Sequence, residues 1–168
     1  PGFIDVHTHD DQNIFDDPTM SCKISQGVTS CIAGNCGISL APFDFLGDVP
    51  APIPLLGKKE VFKYPRLLDY KNAFLNTPSS VNVALLTGHS MLRVQAMNGD
   101  YDRAANENEI NIMQNILDKA LRDGSIGLST GLAYPAASAA PTNEIIALAK
   151  VLKSYNGVFT THMRNEGD

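Results

Sequence analysis

The chain has 168 residues, of which 43% are hydrophobic and 18% charged. That is material for one domain with a substantial core and excludes disorder as the ruling state. A formal charge of -5, with no run of lysine or arginine, argues against a nucleic-acid binder that works by neutralising phosphates. No signal peptide is visible, and no apolar stretch reaches the roughly 20 residues needed to cross a bilayer. The expected partner is therefore a small molecule, with neither nucleic acid nor membrane involved.

Five short segments, apolar or rich in Val, Ile and Thr and bounded by turn residues, predict buried strands: Gly2 to His7, Val28 to Ala33, Val81 to Thr87, Ser125 to Ser129 and Val158 to Thr161. Between them lie helical segments with readable ends. Pro18 suits a first turn after an Asp17 N-cap, and Gly27 suits the C-terminal cap. A shorter helix is expected near Leu67 to Leu75. From Asn108 to Arg122 the residues Ile110, Met113, Ile116, Leu117, Ala120 and Leu121 recur at helical spacing, closed by Gly124. Thr142 is the expected N-cap of the next helix, which carries Ile145, Ile146, Leu148, Ala149 and Leu152 ahead of Gly157.

Strand and helix alternating without hairpin signals predicts parallel strands with right-handed crossovers. A doubly wound sheet and a (β/α)8 barrel both satisfy that pattern. The polar residues favour the barrel: His7 and His9, Asn35 and Cys36, His89 and Ser90, Tyr134, then His162, Arg164 and Glu166 fall at or beyond successive strand ends, where barrels collect functional groups. The expected fold class is thus α/β, an incomplete parallel (β/α) barrel of the TIM type covering about the first five strands. The connection Ile38 to Pro65, with five prolines, has little periodicity; it reads as a substrate lid or as an insertion without a role.

The segment Asp5-Val6-His7-Thr8-His9 spaces its polar residues by two, which in a strand places Asp5, His7 and His9 on one face. Imidazole is a common zinc ligand and a carboxylate can orient the ring, so a metal role competes with a hydrogen-bonded histidine pair. Cys36, between Gly34 and Gly37, would add a thiolate ligand. Cys22 and Cys31 read as small buried hydrophobes. The three cysteines form no CxxC pair and cannot all pair with each other, which fits a reducing, cytoplasmic setting. His162, in a dense run with Arg164, Asn165 and Glu166, reads better as a ligand than as core. Arg164 and Glu166 could orient ligands or pair with each other. Tyr134 could bind substrate or pack, and for His89, Ser90 and Arg93 a structural hydrogen-bonding role stands beside proximity to the site.

At Gly-Phe-Ile-Asp-Val-His-Thr-His, Gly-Asn-Cys-Gly-Ile-Ser, Gly88-His89-Ser90, Gly127 to Pro135 and Thr161 to Asp168, the chain resembles the N-acyl-D-amino-acid deacylases, or D-aminoacylases, of the amidohydrolase superfamily. The resemblance implies zinc as cofactor, held tightly by Cys36 and His162, with His7 and His9 at a weaker second position and Tyr134 on the substrate carboxylate. It implies hydrolysis of N-acyl-D-amino acids to a D-amino acid and a carboxylate. The resemblance also explains why no lysine lies between Ser125 and Tyr134, where many amidohydrolases carry a metal-bridging one, and a cysteine after the second strand fits this branch better than a dihydroorotase or hydantoinase. A cyclic-amide hydrolase and a non-catalytic half-barrel for assembly or metal binding remain the alternatives.

The resemblance further implies that residues 1-168 are the N-terminal portion of the barrel, with the flanking β-domain and the last strands absent. No catalytic residue is then expected within the chain, and the general-acid aspartate is expected downstream. Alone, such a fragment is expected to be inactive and to self-associate through exposed strand edges.

Overall fold

The computed structural model describes residues 1–167. Five strands, β1 (Phe3–Asp5), β2 (Val28–Ala33), β3 (Asn82–Gly88), β4 (Gly127–Gly131) and β5 (Val158–His162), form one sheet in sequential order. Every neighbouring pair is parallel. Sequential order distinguishes the two folds that the alternation left open. A doubly wound sheet reverses its strand order at a switch point, whereas right-handed crossovers that always advance place every helix on one face and curl the sheet towards a barrel. The chain is an incomplete barrel of five strands.

The helices are α1 (Asn13–Asp16), α2 (Ser21–Ile24), α3 (Leu67–Asn76), α4 (His89–Ala96), α5 (Glu107–Asp123), α6 (Pro135–Ser138) and α7 (Thr142–Leu152). The core lies between them and the outer face of the sheet, in two clusters. Cys31 and Ala33 of β2 pack with Ile14, Leu40, Phe43 and Tyr70. Leu128 of β4 packs with Leu92, Met113, Leu117, Leu148 and Leu152. Full burial of one such leucine stabilises by about 1.5–3 kcal/mol.

The periodicity located α5, and its start has a specific cause. Asn106 Oδ1 accepts from the Glu109 amide at 3.0 Å while Glu109 Oε2 accepts from the Asn106 amide at 2.8 Å, a reciprocal cap that sets the N-terminus ahead of the expected Asn108. Gly124 closes the helix at φ 115°. Other boundaries differ more. β1 stops at Asp5 rather than His7, and β4 begins at Gly127 rather than Ser125, whose hydroxyl instead bonds Thr87 Oγ1. Asp17 caps no helix: it ends α1, and α2 starts after Met20 in a left-handed conformation. Pro141, not Thr142, is the N-cap of α7.

Two further expectations change. Cys22 is exposed on α2 rather than buried, because so short a helix covers only one face. The 38–65 connection is packed rather than loose: Ile38, Leu40, Ala41, Phe43, Ile53, Leu56 and Tyr64 are all buried, and Phe43 meets Phe62 edge-on at 5.4 Å. Its prolines break secondary structure without removing the apolar side chains that anchor it.

Candidate metal site at the strand ends

The site is assembled from the loops that follow β1, β2, β4 and β5. After β1 the chain continues beside β2, with the Thr8 amide donating to Ile32 O at 3.1 Å. It then turns, which brings the His9 ring to a 5.8 Å centroid distance from His7 at 76°. The expected alignment of Asp5 with the histidines therefore fails. The Asp5 carboxylate points to Lys23 at 2.7 Å, and only its Oδ1 touches the His7 backbone amide.

Cys36 sits in a tight turn after β2 with φ 53°, between Gly34 at φ 78° and Gly37 at φ 77°. The end of β4 passes so close that a Cβ on Gly131 would lie 2.2 Å from Cys36 O. This seats the cysteine over the sheet end, with its Sγ 3.0 Å from His7 Nε2. One ligand atom from each of His7, His9 and Cys36 lies within 4.8 Å of the others.

From the far edge, His162 ends β5 with Nδ1 3.9 Å from Cys36 Sγ and 3.3 Å from the Tyr134 hydroxyl. Its other nitrogen, Nε2, is 3.3 Å from the Glu166 carboxylate. A carboxylate on one imidazole nitrogen fixes the tautomer that frees the other as a donor atom. Arg164 turns the other way and donates to the carbonyls of Ser138 and Ala140. The two charged neighbours of His162 thus act separately. Asp168, the last residue of the 161–168 motif, lies outside the described residues.

The electrostatics suit a cation. Burial, followed by the charge of His7, pushes the His9 pKa down, which keeps the ring neutral and able to ligate. Burial pushes the Cys36 thiol up, so a cation would have to displace its proton. Burial, then the charges of Cys36 and Glu166, raise Tyr134, which leaves its hydroxyl a donor. His9 Nδ1 is buried with no hydrogen-bond partner among the described residues, as expected of a nitrogen that serves a ligand. Imidazole nitrogens and a thiol converging from several strands are the donor set of a zinc-type site, so these residues fit a metal.

The cluster opens into a concave cleft of about 350 Å³ lined by Val6, Ile32, Leu86 and Thr160 among others. A larger cleft of about 520 Å³ lies on the helical side, lined by residues including Arg66, Ile116, Lys119 and Asp123. It contains none of His7, His9, Cys36 and His162, so the smaller cleft is the chemical one.

His89, Ser90 and Arg93 are not in this cluster. All three are fully buried on α4. His89 Nε2 bonds Glu144 Oε1 at 2.9 Å, and Arg93 Nη1 reaches both Glu144 oxygens at 2.6 Å. Arg93 also donates to the carbonyls of Ala136, Tyr101 and Arg103. His89 and Arg93 thus tie α4 to α6 and α7, whereas the Ser90 hydroxyl is buried with no hydrogen-bond partner among the described residues. Sequence reasoning missed α4, because its His, Ser and Arg disguise a buried helix, and missed Glu144, which nothing in its own segment marks as their partner.

Fold and site together define a barrel protein whose strand ends present a cluster of residues that could hold a metal ion. The profile of the amidohydrolase family matches residues 1–167, and the chain belongs to that family. It is 46% identical over 168 residues to a D-aminoacylase of Alcaligenes xylosoxydans xylosoxydans, covering 100% of this chain and 34% of that protein. A solved D-aminoacylase structure, described in terms of a binuclear metal centre with one-metal activation and second-metal attenuation, is 47% identical with a TM-score of 0.95. The N-acyl-D-glutamate deacylase of Bordetella bronchiseptica, solved with zinc and a phosphonate mimic of the tetrahedral intermediate, is 40% identical with a TM-score of 0.94. Both structures match all of this chain over 35% of their own. The chain spans about a third of the length of the relatives it matches.

Proposed function

We propose that residues 1-168 supply the first five strands, with the helices that follow the first four, and the metal-ligand cluster of an enzyme that hydrolyses N-acyl-D-amino acids to a D-amino acid and a carboxylate. The observation that carries this reading is the convergence of His7, His9 and Cys36 within 4.8 Å, with His162 Nδ1 3.9 Å from the same sulfur. The relatives named above act on this substrate class by their names, and one of them was solved with zinc.

Within this proposal Cys36 and His162 hold the tighter zinc, and His7 and His9 hold a second, weaker one. When bound, zinc polarises an amide carbonyl and makes water a better nucleophile near neutral pH. The protein's residues position the reactants. Glu166 holds the Nε2 side of His162. Tyr134, a hydroxyl donor 3.3 Å from His162, is placed to bind the substrate carboxylate beside the ligands. The proton for the departing amine is assigned to an aspartate beyond residue 168.

Three free cysteines support a reducing, cytoplasmic setting within the same reading. No helix among the described residues is long and apolar enough to cross a membrane. Exposed Phe3, Ile4 and Val6 at one edge of the sheet, and Val158 and Phe159 at the other, support association through those edges.

The test is to purify the intact protein, measure its zinc, and assay release of amine from matched N-acetyl-D- and N-acetyl-L-amino acids. Zinc-dependent turnover of the D series is expected. Bound zinc without hydrolysis of either series would favour a metal-binding assembly module, and preference for cyclic amides would move the reading to another amidohydrolase branch.

A further inference from the structure

The strongest feature outside the ligand set is Asp11, a carboxylate with no solvent exposure. Its Oδ2 accepts from the Gly34 amide at 3.2 Å and its Oδ1 from the Leu40 amide at 3.1 Å. These two amides bracket the turn that holds Cys36. Asp11 itself follows His9 by two residues, and Tyr70 anchors it by donating to the Asp11 backbone carbonyl at 2.8 Å.

A fixed connection is needed here for a physical reason. Cys36 is a non-glycine residue at φ 53°, a strained region that persists only where the surroundings over-determine it. Asn35 contributes by donating to Ile32 O at 2.9 Å and to Val6 O at 3.4 Å, and the Ser129 hydroxyl accepts from the Gly37 amide at 3.0 Å while donating to Gly34 O. Neither of these ties the turn to the histidine segment through two points at once. Asp11 does, since each of its oxygens holds one end of the turn.

We propose that Asp11 is the positioning residue of the ligand cluster: its carboxylate sets the separation of the His7/His9 segment from the Cys36 turn and holds the thiol in its ligating conformation. This inference rests on the metal reading above. The chemistry calls for a carboxylate, because both oxygens face N–H donors. An asparagine of the same shape would put its NH₂ against one of those donors.

The test compares Asp11→Asn with Tyr70→Phe in the intact protein, loaded with Co²⁺ as a spectroscopic probe. Tyr70→Phe removes the bond to the Asp11 carbonyl but leaves the carboxylate clamp. Asp11→Asn should keep the native far-UV circular dichroism, weaken Co²⁺ binding by about 10–100-fold, as loss of an outer partner does, and diminish the thiolate-to-cobalt charge-transfer band. Tyr70→Phe should retain the band.

Wild-type affinity with an unchanged band in Asp11→Asn would overturn the proposal. Should that variant not fold, amide hydrogen exchange on the unaltered, metal-free protein decides: slow exchange at Gly34 and Leu40 is expected, and exchange at the rate of exposed amides would overturn the clamp. A wild-type protein that binds no cobalt would defeat the metal reading instead, and the exchange experiment would still judge the clamp.

Discussion

His7 Nε2 lies 3.0 Å from Cys36 Sγ, joining the ends of two adjacent parallel strands through a ring and a thiol 29 positions apart. The sulfur also faces His162 from the opposite side of the cluster. Cys36→Ser should therefore lower zinc affinity roughly a hundredfold or more, beyond the range for outer partners. His9→Ala should remove only the weaker metal. Equilibrium dialysis with metal analysis checks both; retention of tight zinc by Cys36→Ser would refute the ligand assignment.

Glu166 contacts His162 from a position that is 64% exposed at its side chain, against 26% for the histidine. Solvent screening weakens such a pair. Glu166→Gln should accordingly cost near the low end of the outer-partner range, about tenfold in zinc affinity. The difference from wild type should shrink in high salt. A chelator competition titration at two ionic strengths measures it.

Tyr134 keeps its proton and faces the cluster. A hydrogen bond to a charged group contributes about 1.5–3 kcal/mol. Tyr134→Phe in the intact enzyme should raise KM for N-acyl-D-amino acids by about tenfold or more with kcat little changed. An unchanged KM would return Tyr134 to a packing role.

Arg93 and Glu144 form a fully buried ion pair. Removing one partner strands the other charge in the core at a cost of about 3–5 kcal/mol. Arg93→Met should lose that much in urea denaturation. The double variant Arg93→Met/Glu144→Leu should recover only part of it, since the carbonyls of Ala136, Tyr101 and Arg103 also lose their donor.

The same network makes stability depend on pH. Burial lowers the His89 pKa from 6.5, only partly opposed by Glu144. Burial raises Glu144, but the hydrogen bonds from His89 and Arg93 outweigh it and hold the carboxyl below 4.5. The Arg103 partner draws Glu109 down to about 2. In each case the unfolded chain binds the proton more tightly, so the stabilisation is full above the unfolded value and is lost as pH falls through the folded one. For His89 the decline starts below 6.5, and for the two glutamates below 4.5.

Asp11 acts in the opposite sense. Burial raises its carboxyl to about 6 from 3.8, which favours the folded state as pH falls through that interval. The informative measurement is thus a difference: the stability of wild type minus that of His89→Gln should shrink as pH falls below 6.5. A difference that is constant or grows would contradict a neutral buried His89.

Much of the fold and most of the candidate ligand cluster were legible in the residues. Val28 to Ala33 is β2 as expected, and the helical repeat of Met113, Leu117, Ala120 and Leu121 marks the buried face of α5. Cys36, His7, His9 and His162 stood out because such residues rarely end three short apolar runs by chance. Asp11 did not stand out, since a second aspartate after two histidines reads as a solvated turn. Its partners Gly34 and Leu40 are backbone amides, which carry no sequence signature.

Local dihedral preference and hydrophobic period act over a few residues, and from them the sequence alone determined the alternation of strands and helices, the Gly124 cap of α5 and the kinds of ligand-type residue at the strand ends. Distance between side chains is set by accumulated crossovers, and only the tertiary structure decided it. The sequential parallel order brings Cys36 and His162 to 3.9 Å across 126 positions, while His89 and Arg93, equally polar and also near a strand end, turn away into the core against Glu144.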